Sequence, residues 1–294
     1  MARFGQILSC RDAKNVYSLV CYLSFFCLKQ YKNSMKILIC NDDGVYAPGI
    51  NALRKELEQV ADVTVVAPLE ERSTTGHTLT LDHPLRVVEI EKNVYGCSGY
   101  PADCALLGLA HIMKNDRPDL VVSGINRGAN MGQDVYYSGT VAAAREATFH
   151  NIPSIAVSSV VDFQSPKPAV EHFQTAGEFI KEMIKERIHE KLKRNTLLNV
   201  NVPNRLAKDL NGVRVTELGF RRYSEEILER RDFRDRRYFW IGGVYSGFDP
   251  CESSDCHSTE EGYVSVTPLN LISSESPDYN FWAEQLKPLM EWRG

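Results

Sequence analysis

The chain has 294 residues, 43% of them apolar and 24% charged, with a net charge of −4. That length suits one large core, or a domain with an appendage. The slight acidity leaves no basic footprint and argues against bulk nucleic acid as a partner. The eight cysteines contain no Cys-x-x-Cys pair, which excludes a patterned zinc site or disulfide framework and fits reduced thiols in a cytoplasmic protein.

Residues 1–34 differ from the rest. An apolar run over 16–28 follows Arg3, Arg11 and Lys14. It is short for a membrane span, and no small-x-small cleavage site follows it. We expect residues 1–34 to be an extension outside the fold, with a targeting segment as the alternative, and no membrane association.

The folded part then opens on Ile37-Leu38-Ile39, a short apolar run ending in Asn41-Asp42-Asp43-Gly44. Such a run reads as a buried strand. Two adjacent carboxylates at its end are costly unless something positive faces them, and a divalent metal is one answer. A solvated Asp-Asp-Gly turn is the other. Pro48 starts a helix carrying Ile50, Leu53, Leu57 and Val60 on one face. Residues 63–67 form a second strand, so strand, helix and strand make a βαβ unit with parallel strands.

A hydroxyl-rich loop, Glu70 to His77, follows the second strand. Residues 78–81, 85–90 and 94–98 read as further strands. Pro101 opens a helix through Met113, with Asp103 in its first turn. Leu120-Val121-Val122 is a third parallel strand. We expect a loop over residues 123–132, rich in glycine and asparagine. Residues 141–149 form a helix and 152–158 a fourth strand. The loops bearing Asp42 and Asp43, Ser73, and Asn126 thus all follow carboxyl ends of parallel strands, where ligands bind in open α/β sheets.

Beyond residue 159 the pattern changes. Residues 169–192 read as an amphipathic helix, and 197–202 as a strand alternating with asparagines. Residues 213–218 are a strand. Residues 219–261 mix seven arginines with acids and aromatics; a solvated arm is one reading, and a hairpin packing on another subunit is the preferred one, with 238–244 as one strand. Residues 263–267 return to strand, and 277–287 read as a closing helix. No internal repeat is present.

Two carboxylates, a hydroxyl and an amide oxygen are hard donors that suit Mg²⁺ or Mn²⁺. Ser138-Gly139-Thr140 opens a helix, where backbone N–H groups and hydroxyls favour an anion; alone it reads first as an ordinary N-cap. A metal beside a phosphate cradle points to phosphoryl chemistry.

Six blocks then converge on one family. They are Asn41-Asp42-Asp43-Gly44, Glu71-Arg72-Ser73, Pro101-Ala102-Asp103, the run from Ser123 to Gly132, Tyr137-Ser138-Gly139-Thr140, and Gly262 to Leu269. Together they resemble the SurE family of stationary-phase survival proteins, from Met35 nearly to the C-terminus. The resemblance implies a Rossmann-like α/β domain over 35–294, with a C-terminal arm exchanged between subunits of a homodimer or tetramer. It implies one divalent metal held by Asp42, Asp43, Ser73 and Asn126. It also implies hydrolysis of nucleoside 5′- and 3′-monophosphates, with exopolyphosphatase activity on short chains. A regulatory nucleotide-binding module without turnover and a generic acid phosphatase are the alternatives.

On this reading Asn130, Ser138, Gly139 and Thr140 hold the phosphate. Asp42 and Asp43 are catalytic, and Asp42 orients or deprotonates an attacking water; direct attack by Asp42, giving an aspartyl-phosphate, is the alternative. Arg127 and Arg145 pair either with phosphate or with acids such as Asp134 and Glu146. His77 is a candidate general acid that is more often incidental. The chain departs from the family pattern at Thr74, where glycine is usual after the serine, at Arg145, where an apolar residue is usual, and at Cys256 and His257.

Overall fold

The computed structural model describes residues 35–161, 163, 170–272, 284–285 and 287. The expected N-terminal extension lies outside them, as does nearly all of the expected closing helix. From Lys36 on, the described residues belong to one compact unit.

Its centre is strand β1 (Lys36–Cys40), whose Ile37, Leu38 and Ile39 are fully buried. Each such side chain contributes about 1.5–3 kcal/mol by leaving water. Strand β2 (Asp62–Pro68) pairs parallel with one side of β1 and β5 (Leu120–Arg127) with the other. With β3 (Val87–Glu91), β4 (Val94–Cys97), β6 (Ser154–Val160), β7 (Thr196–Pro203), β8 (Val213–Val215) and β13 (Val264–Asn270), they form a nine-stranded sheet among the described residues. Its order is β3-β4-β2-β1-β5-β6-β7-β13-β8. From β4 to β7 all neighbours are parallel, while β3 and β13 run antiparallel to β4 and β7. The fold is therefore α/β and mostly parallel, as expected.

Helices cover both faces. Side chains alternate along a strand, so Leu38 and Cys40 share one cluster with Cys104, Ala105, Ala143 and Ala147. Those come from α2 (Pro101–Leu107), which continues as a π turn to Ile112, and α3 (Gly139–Phe149). Helix α1 (Pro48–Leu57) lies against α4 (Phe173–Lys185), where Lys181 pairs with Glu56. Among the described residues no helix is long and apolar enough to cross a membrane.

Several boundaries differ from the sequence reading. Residues 78–81 are not a strand, because Thr80 gives its N–H (2.9 Å) and hydroxyl (2.7 Å) to the buried Asp103 carboxylate. The ladder's donors are spent on a side chain instead. The expected loop after Val122 begins later: β5 runs on through Arg127, with a register shift between Ser123 and Asn126. The long amphipathic helix is shorter than expected. It stops at Lys185, two residues before Arg187 adopts a left-handed φ of 54°.

The 219–261 segment divides in two. Strands β9 (Arg221–Tyr223) and β12 (Tyr245–Phe248) pair antiparallel, and β10 (Ile227–Arg231) pairs with β11 (Arg237–Ile241). This two-stranded hairpin is exposed throughout β10 and β11. Residues 254–259 instead enter the core. Ser254 caps α5 (Asp255–Glu260) by accepting from the His257 N–H at 3.1 Å, and Asp255 is fully buried.

Candidate active site

Because β2, β1 and β5 are parallel neighbours, their carboxyl ends present three loops along one edge. Long-range hydrogen bonds join them. The Arg72 N–H donates to the Asp42 carbonyl at 2.8 Å, and the Arg127 N–H to Asp43 Oδ2 at 3.1 Å. The Thr140 hydroxyl, 98 residues on, donates to Asp42 Oδ1. Gly76 N–H reaches the Tyr137 carbonyl at 2.9 Å, which ties the serine loop to the start of α3. Asp42, Asp43, Asn126, Ser138, Gly139 and Thr140 are thereby gathered at one edge, and the Ser73 loop is bound to it.

The carboxylates sit in an unbalanced field. Asp42 is 4% exposed. Burial pushes its carboxyl above the usual range, against the lowering effect of Thr140. Asp43 is pushed up to about 6, by burial first and then by the charges of Asp42 and Glu71. Among the described residues neither aspartate forms an ion pair, since the Arg127 guanidinium pairs with Glu171. Two adjacent, partly desolvated carboxylates without a cation favour binding one.

The remaining members are held by local bonds. Ser73 Oγ donates to Glu71 at 2.7 Å. Asn126 Nδ2 donates to the Gly128 carbonyl at 2.8 Å, which leaves its amide oxygen as the donor atom for a cation. Gly139 has to be glycine for steric reasons: a Cβ there would meet Asp42 Cβ at 2.8 Å and Pro101 Cγ at 2.9 Å. Ser138 Oγ accepts from the Val141 N–H at 3.0 Å, a true N-cap that keeps its own proton to donate. Among the described residues no group of three or more His, Cys, Asp and Glu side chains is arranged to hold a metal. Any shell here therefore draws on amide and hydroxyl oxygens as well.

Against this geometry the comparisons with known proteins fall into place. A family model described as survival protein SurE matches residues 37–225. The chain belongs to the SurE family. It is 47% identical over 237 residues to a Geobacter sulfurreducens protein named 5′-nucleotidase SurE, covering 81% of this chain and 88% of that one. A Vibrio vulnificus protein of the same name is 44% identical, covering 81% and 90%. The crystal structure of the SurE protein from Aquifex aeolicus superposes with a TM-score of 0.74 at 36% identity, covering 85% of this chain and 99% of that one.

Thr74 and Arg145, expected to depart from the family pattern, and His77 each have a local setting. Thr74, after the loop serine, sits at a φ of 55°, a left-handed conformation that a β-branched residue rarely adopts. Flanking hydroxyls brace the turn: Thr75 donates to the Arg72 carbonyl at 2.9 Å and Thr78 to the Thr75 carbonyl at 2.6 Å. Arg145 pairs with neither Asp134 nor Glu146. It donates to the Val135 carbonyl at 3.2 Å, and burial lowers its pKa. His77 binds Glu146 at 2.8 Å and stacks on Phe149, so a structural partner holds it.

Sequence reasoning missed part of the support. Asn130 is buried because its N–H donates to Asn201 Oδ1, its carbonyl accepts from Asn199 and Asn201, and its Nδ2 donates to Ser158. Asparagines alternating through a strand as buried as β7 were the available signal, since buried amides require partners. Asp255 as the partner of Gly132, and Glu71 as that of Ser73, left no comparable trace.

Proposed function

We propose that this SurE-family chain is a metal-dependent nucleotidase that hydrolyses nucleoside 5′-monophosphates to nucleoside and phosphate. The names of its relatives support the reaction class. The observation that carries the reading is the Asp42–Thr140 hydrogen bond, which joins an unpaired carboxylate couple to a capped helix N-terminus. A cation site and an anion site side by side are what phosphoryl transfer requires.

The donor set fits a hard divalent cation, Mg²⁺ or Mn²⁺, held by Asp42, Asp43, Ser73 and Asn126. When bound, it supplies Lewis-acid polarisation of the phosphoryl oxygen and charge neutralisation. The chain's own residues do the rest. Ser138, Gly139 and Asn130 hold the phosphate oxygens. Thr140 is committed to Asp42 and keeps that carboxylate beside the cradle. Asp42 orients an attacking water and takes its proton. Trapping a phosphate on Asp42 would establish direct carboxylate attack instead.

The finer activities of the proposal are 3′-monophosphate hydrolysis and exopolyphosphatase activity on short chains. We further infer a cytoplasmic enzyme whose exposed hairpin packs on other copies as a homodimer or tetramer. A two-stranded ribbon is marginal in water by itself. This one exposes Phe239, Trp240 and Ile241. The test is phosphate release from 5′- and 3′-monophosphates, polyphosphate and simple esters, with Mn²⁺ and then with chelator. Release that survives chelation, or that is equal for Asp43→Asn, refutes the reading. Nucleotide binding without release would make the chain a regulatory module, and equal rates on all esters a generic phosphatase.

A further inference from the structure

The root of the hairpin is fastened to the segment between Asn130 and Ser138 through Gly132, Gln133 and Asp134. The buried Asp255 carboxylate accepts from the Gly132 N–H at 2.9 Å and from the Gly219 N–H at 2.8 Å. Gln133 pairs with the Arg221 backbone like a strand neighbour: Nε2 donates to its carbonyl at 2.6 Å, and Oε1 accepts its N–H at 2.8 Å. Asp134 Oδ2 receives the Arg221 guanidinium at 2.6 Å and also the Tyr223 hydroxyl. Arg221 also lies 4.4 Å over the Tyr245 ring. Gly132 has a φ of 54°, and a Cβ there would stand 2.8 Å from the Gly219 carbonyl oxygen, so the two segments touch backbone to backbone.

The same Asp134 faces the site through its main chain. Its carbonyl accepts from the Tyr137 N–H at 3.0 Å and the Ser138 N–H at 3.1 Å. The 3₁₀ turn Gly132–Tyr136 is therefore a short strut, with the hairpin root on the Gly132 N–H and the Gln133 and Asp134 side chains, and the Ser138 cap on the Asp134 carbonyl. None of the four expected metal ligands lies on this strut.

We propose that Asp134 and Arg221 are positioning residues for phosphate: the hairpin root sets the height of the Ser138–Gly139 cradle and leaves the metal ligands alone. The proposal rests on reading Ser138 and Gly139 as phosphate-holding. It gives the hairpin a part in substrate affinity, because whatever holds the hairpin still also holds the cradle. By thermodynamic reciprocity, phosphate bound at the cradle stiffens the hairpin root.

The experiment uses the full chain loaded with Mn²⁺ and inorganic phosphate as the probe. Calorimetry gives phosphate and Mn²⁺ affinities for the unmodified protein, Asp134→Asn, Arg221→Ala, Arg221→Lys and Ser138→Ala. Hydrogen exchange over residues 219–223 is followed with and without phosphate. The expected result is phosphate binding weakened about 2- to 30-fold in Asp134→Asn and Arg221→Ala, with Mn²⁺ affinity unchanged. Arg221→Lys falls between, and phosphate slows exchange at the hairpin root. Parallel loss of Mn²⁺ affinity means general structural damage and overturns the proposal. If Ser138→Ala loses phosphate while the two root variants bind normally and exchange is unaltered, the cradle stands and the coupling fails. If Ser138→Ala also binds normally, the cradle reading itself fails.

Discussion

At the sheet edge, Asp42 is 4% exposed and held by a residue 98 positions away. On the hairpin, Trp240 is 63% and Ile241 91% exposed, and the register Ile227 to Ile241 is set by the opposite strand alone. Both regions interrupt the core pattern of the sequence. One places charge where water is scarce; the other places apolar surface where water is abundant. Each is unfavourable for an isolated chain, and on the proposed reading each is relieved by something that binds: a cation at the edge, other protein along the hairpin. Cost concentrated in this way points to function more directly than exposure or burial alone.

The sharpest way to break that contrast is at Asp43. Asp43→Asn is expected to abolish Mn²⁺ binding and lower turnover about 10³-fold or more, the several kcal/mol that a metal centre supplies. The same variant without metal should melt higher than the metal-free parent at pH 7. The sign follows from the raised carboxyl. Its pKa of about 6 in the fold exceeds the ordinary 3.8, so the metal-free fold is penalised increasingly as pH rises from about 3.8 to 6 and fully above. Thermal scans with and without Mn²⁺ check both statements. A metal-free Asp43→Asn that melts lower would remove the claim of stored electrostatic cost.

Substitution at the hairpin should have the opposite profile. Trp240→Asp is expected to weaken self-association by about 30-fold, a loss of 2 kcal/mol or more for a buried aromatic anchor. Metal binding should survive. Light scattering across a dilution series measures it, and an unchanged mass would end the subunit-packing role of the hairpin. Next in size is the pH dependence of metal affinity. Protons compete for Asp43, so Mn²⁺ affinity should fall about tenfold per pH unit below about 6 and level off above. Titrations from pH 5 to 8 test it, and a flat profile would contradict the raised carboxyl. The smallest effect is expected at Thr74→Gly, which relieves the left-handed φ of 55°. It should stabilise the fold by about 1 kcal/mol, or roughly 2–4 °C in Tm. A fall in Tm would show that the hydroxyl, or lower chain entropy, outweighs the strain.

The SurE-like blocks were legible because they are contiguous. Asp42-Asp43 follows its strand at once, and Ser138-Gly139-Thr140 begins its helix, so local pattern and turn chemistry reveal both. The partners of the supporting acids were not legible, even where the acid itself lay in a block. Asp103 holds Thr80, 23 residues earlier, and Asp255 holds Gly132, 123 residues earlier. An isolated aspartate has the same appearance in sequence whether it binds water or two backbone amides. The asparagines of β7 are intermediate: their alternation was visible, but Asn130 as their partner was not.

By itself the sequence determined the parallel α/β sheet and the loops that meet at its edge, while the order of the strands came from the structure. The physical reason is that apolar periodicity and parallel βαβ connectivity leave few alternatives. Only the tertiary structure decided which acids lack a cation, that Thr140 serves Asp42, that the 219–261 segment splits into an exposed hairpin and a buried helix, and that the hairpin root is fastened to the strut before Ser138. Burial and long-range hydrogen bonds set those outcomes, and they depend on which residues the fold brings together rather than on which are adjacent in the chain.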